Sequence, residues 1–259
     1  MARLVTVHIE NPDYENVYAK CPYCKRYNTY NRISDLKETS PIGDKNVKCE
    51  YYDCLKEYRI TGDLVAMKYR MLIYDCEFLI ENKRYMYCIL NLAQAYEVFF
   101  HTYLLTKLIY EPCSANKFRT KNLNMLHDIY YDSAKELSFN DLRSIFIKFV
   151  LSKVKLDNIE RATVNIRDLK CRSYKCEPRN YLIERETNVK LRHLLLDLKK
   201  TIINETRNKV VHKFAYRPSL QEVIISLEEA KKILQGLATI LEIKSDDPNW
   251  TFSHYKKPV

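Results

Sequence analysis

Two cysteine clips near the start of the chain, Cys21-Pro-Tyr-Cys24 and Cys49-Glu-Tyr-Tyr-Asp-Cys54, constrain its fold more than any other feature. Cys-x2-Cys and Cys-x4-Cys, separated by 24 residues, place four thiols in two short loops. Four thiolates in two clips are what a tetrahedral zinc ion requires. Strand-like runs flank the clips at residues 4–9 and 57–61, with Pro41, Gly43 and Asp44 as turn residues between them. The expectation is a small, β-rich, zinc-ribbon-like module over residues 1–63. Cys21, Cys24, Cys49 and Cys54 would ligate a structural Zn2+ whose binding supplies folding energy that so short a segment cannot draw from a core.

A competing reading attaches to the first clip alone. Cys-Pro-Tyr-Cys-Lys is similar to the active-site sequence of glutaredoxin-like thiol oxidoreductases, in which the first thiolate attacks a disulfide. That fold continues with a helix and a later cis-proline loop. Here a turn-rich stretch and a second cysteine pair follow, which favours metal over redox chemistry.

Beyond residue 63 the patterning changes. Only three glycines in 259 residues, and a high content of Leu, Ile, Lys and Glu, favour helices. The apolar spacing predicts helices near 64–81, 84–110, 122–136, 140–155, 188–214 and 220–243, with mixed structure over 156–187. Within 84–110, Leu92, Tyr96, Phe99, Phe100, Tyr103 and Leu104 form the apolar part, and Pro112 is expected to end the helix. Thr187-Asn188 offers an N-cap for 188–214, whose stripe is Leu191, Leu194, Leu195, Leu198 and Ile202, prolonged by Val210, Val211 and Phe214. Ser219-Leu-Gln-Glu222 reads as a capping box opening the last helix, with Val223, Leu227, Ala230, Leu234, Leu237 and Leu241 on its apolar face. Gly62-Asp63 marks the boundary between the parts. The fold class is therefore mainly α: a helical domain over 64–244 after the small β module, and a tail over 245–259 that carries Trp250.

Charge is unevenly placed. Residues 1–63 contain ten Lys and Arg against ten Asp and Glu, so the net +10 belongs to the remainder. Residues 161–217 hold fifteen basic against six acidic side chains, interleaved with Tyr174, Tyr181, Phe214 and Tyr216. Concentrated positive charge attracts a polyanion, and aromatic rings stack on unpaired bases, which makes RNA the expected partner. No apolar run approaches the roughly 20 residues needed to cross a bilayer, so no membrane partner is expected. Nine cysteines, an odd number, with no secretory signal before them point to a reducing cytoplasm. Cys76, Cys88 and Cys113 read as buried thiols, while Cys171 and Cys176 sit in a polar loop. His101, His127 and His193 fall within helical patterns and read as structural, His193 being also a weaker candidate for substrate contact.

The most basic region contains Glu205-Thr206-Arg207-Asn208-Lys209-Val210-Val211-His212-Lys213. The order Arg-Asn-x-x-x-His at the end of an amphipathic helix, with one helix following, resembles the HEPN (higher eukaryote and prokaryote nucleotide-binding) family. Asn91 to Phe100, with Glu97 amid apolar residues, resembles that family's opening helix. The resemblance implies a HEPN-like helical bundle and a metal-independent endoribonuclease that works as a homodimer, in a toxin or in antiviral defence, with an antitoxin or regulatory protein as a further partner. It also implies roles: His212 moves the proton, Arg207 holds phosphate, Asn208 orients, and Lys209, Lys213 and Glu97 serve substrate binding. The chemistry suits these residue types, because RNA carries its own nucleophile in the ribose 2′-hydroxyl. Imidazole titrates near neutrality and guanidinium grips phosphate oxygens. Helical geometry opposes a simple same-face pairing, since residues five apart point about 140° from each other. Convergence needs a long arginine reach, a loosened last turn, or a second chain. A non-catalytic binding module, in which Arg207, His212 and Glu97 are structural, stays open as the alternative.

Overall fold

The computed structural model describes residues 16–31, 35–37, 45–60, 68–114, 122–152, 159–171 and 176–243. The chain divides into two compact units, Met1–Ala66 and Met67–Val259. It is mainly helical, with two small antiparallel sheets and a cysteine cluster near the N-terminus. The expected strand at 4–9, the turn at 41–44, the boundary at Gly62-Asp63 and the tail with Trp250 lie outside the described residues.

The first unit contains two hairpins. Strand β1 (Asn16–Lys20) pairs with β2 (Tyr27–Asn31), and β3 (Lys45–Lys48) pairs with β4 (Glu57–Ile60). Alternation sets the faces: in β4, Tyr58 and Ile60 are buried while Glu57 and Arg59 are exposed. Val17, Tyr30, Leu36, Val47, Tyr58 and Ile60 make a small core with Cys21 and Cys49. Polar contacts tie the hairpins together. The Tyr30 hydroxyl donates to the Lys48 carbonyl at 2.8 Å, and the buried Asn28 accepts from the Glu50 N–H at 2.8 Å.

The second unit opens with α1 (Lys68–Glu81) and α2 (Tyr85–Leu105). Their connection is tight because Lys83 takes a left-handed conformation (φ 57°). Arg84 N–H then reaches the Leu79 carbonyl at 2.7 Å and Lys83 N–H the Ile80 carbonyl at 2.9 Å, closing a Schellman motif. Helix α2 is central and packs against α1 and three later helices, α5 (Phe139–Ser152), α9 (Ile203–His212) and α10 (Leu220–Ala230). Its aromatic stripe is buried as expected. Edge-on ring contacts join Tyr69 to Phe99 at 5.2 Å and Tyr103 to Phe146 at 4.9 Å, each contributing about 0.5–1.5 kcal/mol beyond area burial.

Pro112 does not end this run. A π-helical turn, Thr106–Tyr110, follows α2, and α3 (Glu111–Ser114) continues past it. In a regular helix the proline ring would collide with the carbonyl four residues back. The wider turn, in which Glu111 N–H reaches the Thr106 carbonyl, changes that register just before the proline. Then come α4 (Leu123–Ala134), α5, α6 (Ile159–Asp168) and α7 (Asn180–Glu184), so the described residues of the stretch of mixed expectation contain two short helices.

The predicted helix over 188–214 is two helices. Asn188 caps α8 (Val189–Lys200) by accepting from Leu191 N–H at 3.0 Å, and Leu191, Leu194, Leu195 and Leu198 are buried. Thr201 is then extended (ψ 133°) and buried, and α9 starts afresh. Ile202, expected on the buried stripe, is 56% exposed, and Phe214, expected to prolong it, is 96% exposed. The break turns the helical phase, so a stripe extrapolated through it no longer follows the core. Ser219 and Glu222 do form the capping box of α10, which a second π turn, Lys231–Gln235, links to α11 (Gly236–Ile240).

Candidate metal centre and arginine cluster

In the first unit the four cysteines converge. Their sulfurs all lie within 4.8 Å of one another, with Cys21 Sγ 3.8 Å from Cys54 Sγ and Cys24 Sγ 3.7 Å from Cys49 Sγ. Such separations are far beyond an S–S bond, and match the edge of about 3.8 Å expected for four thiolates around an ion at about 2.3 Å. The tetrad is therefore close enough to hold a metal ion.

Local sequence makes the two clips alike. In the first, Cys21 N–H donates to the Arg26 carbonyl at 2.9 Å, and Lys25 is left-handed (φ 62°). In the second, Cys49 N–H donates to the Lys56 carbonyl at 2.9 Å, and Leu55 is left-handed (φ 49°). Each clip thus bends back directly after its second cysteine, with a cation one residue further on. Cys24 is followed by strand β2, not by the helix a thiol oxidoreductase would place there.

The thiols differ electrostatically. A backbone hydrogen bond from Arg26, opposed by desolvation and reinforced by the Arg26 side chain, brings Cys24 down to about 6. Desolvation pushes Cys49 up to about 11. Arg26 also pairs with Asp53, which raises its own pKa, and lies 4.0 Å over the Tyr51 ring.

In the second unit a polar cluster forms around Arg207. Its guanidinium lies 3.7 Å from the Glu97 carboxylate of α2 and donates to Asn204 at 3.4 Å and Asn208 at 3.3 Å on its own helix. Asn204 donates in turn to Asn140 of α5 at 3.5 Å. Burial raises the Glu97 pKa and Arg207 only partly offsets it. Both asparagines were missed from the sequence: Asn204, three residues before Arg207 on the same helix face, could have been found by that spacing, whereas Asn140 comes from a remote helix and carries no local signal.

His212 does not join that cluster by local unwinding. Helix α9 is α-helical through His212, and Lys213 N–H closes its last turn on the Lys209 carbonyl at 2.9 Å. His212 and Lys213 are exposed, and Lys209 lies 6.0 Å over the Tyr216 ring. The loosened-turn route to convergence is thereby closed, which leaves side-chain reach or a second chain. His101, one turn beyond Glu97 on α2, is tied to the Tyr130 hydroxyl at 2.8 Å, and burial lowers its pKa, so it serves the core. Cys76 and Cys88 are buried, Cys171, Cys176 and His193 are exposed, and the Cys113 side chain lies outside the described residues.

No protein-family model, curated protein or solved structure matches this chain. Among the described residues no helix is long and apolar enough to cross a membrane.

Proposed function

We propose that this chain acts on RNA, with a zinc-ribbon module at its N-terminus and a HEPN-type, metal-independent endoribonuclease in its helical unit. One observation carries the second part. The arginine of the Arg-Asn-x-x-x-His order is held by Glu97, the acidic residue of the helix that resembles the family's opening helix. Zinc is the metal that best suits four clustered thiolates, since soft sulfur ligands in a tetrahedron select it over oxygen-seeking ions.

In the proposed reaction His212 accepts the ribose 2′-hydroxyl proton, and the 2′-oxygen attacks phosphorus. Arg207 and the nearby Lys209 and Lys213 neutralise the pentavalent phosphate, and Asn208 orients the reacting groups. The bond to the 5′-oxygen breaks, a proton returns to it from imidazolium or water, and a 2′,3′-cyclic phosphate remains. The spacing of Arg207 and His212 favours a homodimer, with the two groups at one phosphate drawn from different copies. A cytoplasmic toxin or defence effector restrained by an antitoxin or regulatory protein is the corresponding setting.

The test is cleavage of a labelled RNA with no free divalent ion. Arg207→Ala and His212→Ala should each lower the rate by about 10²–10⁴ with the circular dichroism spectrum and zinc content unchanged. Full activity in both variants overturns the assignment. The exposed position of His212 on a regular helix favours a second reading, a non-catalytic RNA- or protein-binding module. RNA binding without any cleavage by the wild-type chain would select it.

A further inference from the structure

The two clips exchange aromatic and cationic partners. Arg26, two residues after Cys24 in the first clip, lies 4.0 Å over the Tyr51 ring of the second. Lys56, two residues after Cys54 in the second, lies 4.7 Å over the Tyr23 ring of the first. Beside them Lys20 lies 5.7 Å over Tyr27, whose carbonyl accepts from the Tyr51 hydroxyl at 3.0 Å. Tyr51 packs against the small core, whereas Tyr23 and Tyr27 lie outside it.

These rings remain open to solvent. Tyr23 is 54% exposed, Tyr27 64% and Tyr52 81%. A cation on one face of a ring leaves its other face free, and holds positive charge within reach of whatever stacks there. Over residues 1–63 basic and acidic side chains balance at ten each, so the charge offered to an anion is that of the rim cations Lys20, Arg26 and Lys56 themselves. Flat aromatic faces beside fixed cations suit a ligand made of planar rings joined by phosphates, and stacking tolerates any base because every base has a π face. A duplex hides those faces, so the fit is to unpaired strands.

We infer that the rim formed by Tyr23, Tyr27 and Tyr52, with Lys20, Arg26 and Lys56, is a binding site for single-stranded RNA. Bases stack on the tyrosines and the lysines contact the intervening phosphates. The site is distinct from the Arg207 cluster and needs no cleavage there. The rim is carried by the same two clips as the proposed metal, and the experiment below separates the two.

The measurement uses the full chain carrying His212→Ala, which keeps the probe intact if the helical unit cleaves RNA. Fluorescence anisotropy with a labelled twelve-nucleotide uridine oligomer gives the affinity, and ultraviolet crosslinking locates the contact. Crosslinked peptides should span Lys20–Tyr27 and Cys49–Lys56. The double variant Tyr23→Ala, Tyr52→Ala should weaken binding roughly 10-fold or more at unchanged zinc content, Tyr23→Phe with Tyr52→Phe should restore it, and a duplex of equal length should compete poorly. Unchanged affinity in the alanine variant, or crosslinks confined to the helical unit, overturns the inference. Loss of binding in that variant from a wild-type chain that holds no zinc would sustain the RNA site and refute the metal assignment. A rim that captures a protein and no oligomer would also overturn it.

Discussion

Glu97 on α2 and Arg207 on α9 form an ion pair at 3.7 Å in which the carboxylate is the more desolvated partner. Burial raises its pKa further than the guanidinium lowers it. For an acid the sign is clear: with the folded value above the unfolded one, the native state binds more protons. Its contribution to stability is therefore fullest at low pH and declines as pH rises through the folded value.

Arg207→Ala should therefore cost more stability at pH 8 than at pH 5. At pH 8 the carboxylate is charged and has lost the guanidinium, whereas at pH 5 protonation relieves part of the burden. Because both side chains are about a third exposed (35% and 29%), the difference should be roughly 1 kcal/mol or less. Urea denaturation at the two pH values reads it directly, and identical losses would show that the pair is not coupled.

Metal removal should act on one unit. Cys24→Ser, or prolonged chelation, should release one equivalent of zinc and expose the backbone of strands β1–β4 to hydrogen exchange, while protection across α2 persists. The small core of the first unit has little to replace the ion, since metal affinity in such modules is folding free energy. Binding must expel the Cys49 proton, held by a thiol at about 11, whereas Cys24 at about 6 is largely thiolate at neutrality. Affinity should therefore rise with pH between 6 and 8. A flat pH dependence would mean that the thiols are not the ligands.

What could be read in advance depended on how local the signal was. The capping box at Ser219–Glu222, the Asn188 cap and the clip spacing are each written within a few residues, and each appears as read. Thr201 carries no such mark. Its hydroxyl is buried and accepts from Ile203 N–H, a contact that periodicity does not signal, so periodicity carried the apolar stripe on to Ile202 and Phe214, which are exposed. The two π turns are likewise products of packing. Around Arg207, Glu97 entered only through the resemblance noted for residues 91–100, and the Asn204–Asn140 link required the fold.

Thr201 supplies a third prediction. Its hydroxyl oxygen accepts from Ile203 N–H at 3.4 Å, and Thr201 partly offsets the rise that burial imposes on the Glu229 pKa. Thr201→Val keeps the volume and deletes the hydroxyl, which should cost about 1–2 kcal/mol because buried polar groups lose a partner. Glu229, whose pKa burial raises, is favoured by the nearby Thr201 side chain chiefly when ionised. The loss should therefore shrink as falling pH protonates Glu229. Thermal unfolding at pH 4.5 and 7.5 tests this, and a cost that is larger in acid would refute the assigned partners.

Gly236 and Leu194 set the last prediction. An alanine replacing a helical glycine ordinarily gains about 1 kcal/mol from backbone entropy and helix propensity. At Gly236, the first residue of α11, a Cβ would stand 2.8 Å from Leu194 Cδ1 and 3.1 Å from Cδ2. Leu194 is buried on α8, so both methyls would have to turn within packed surroundings. Such overpacking costs about 1–3 kcal/mol, and it should outweigh the propensity gain. Gly236→Ala should thus be net destabilising by about 1 kcal/mol. The double variant with Leu194→Ala identifies the cause. Leu194→Ala alone opens a cavity and costs about 2–5 kcal/mol, but in its background the added methyl has room, and Gly236→Ala should become neutral or stabilising. Denaturant midpoints of the four proteins form a double-mutant cycle. Additive effects would show that the close approach of α8 and α11 does not depend on the missing side chain.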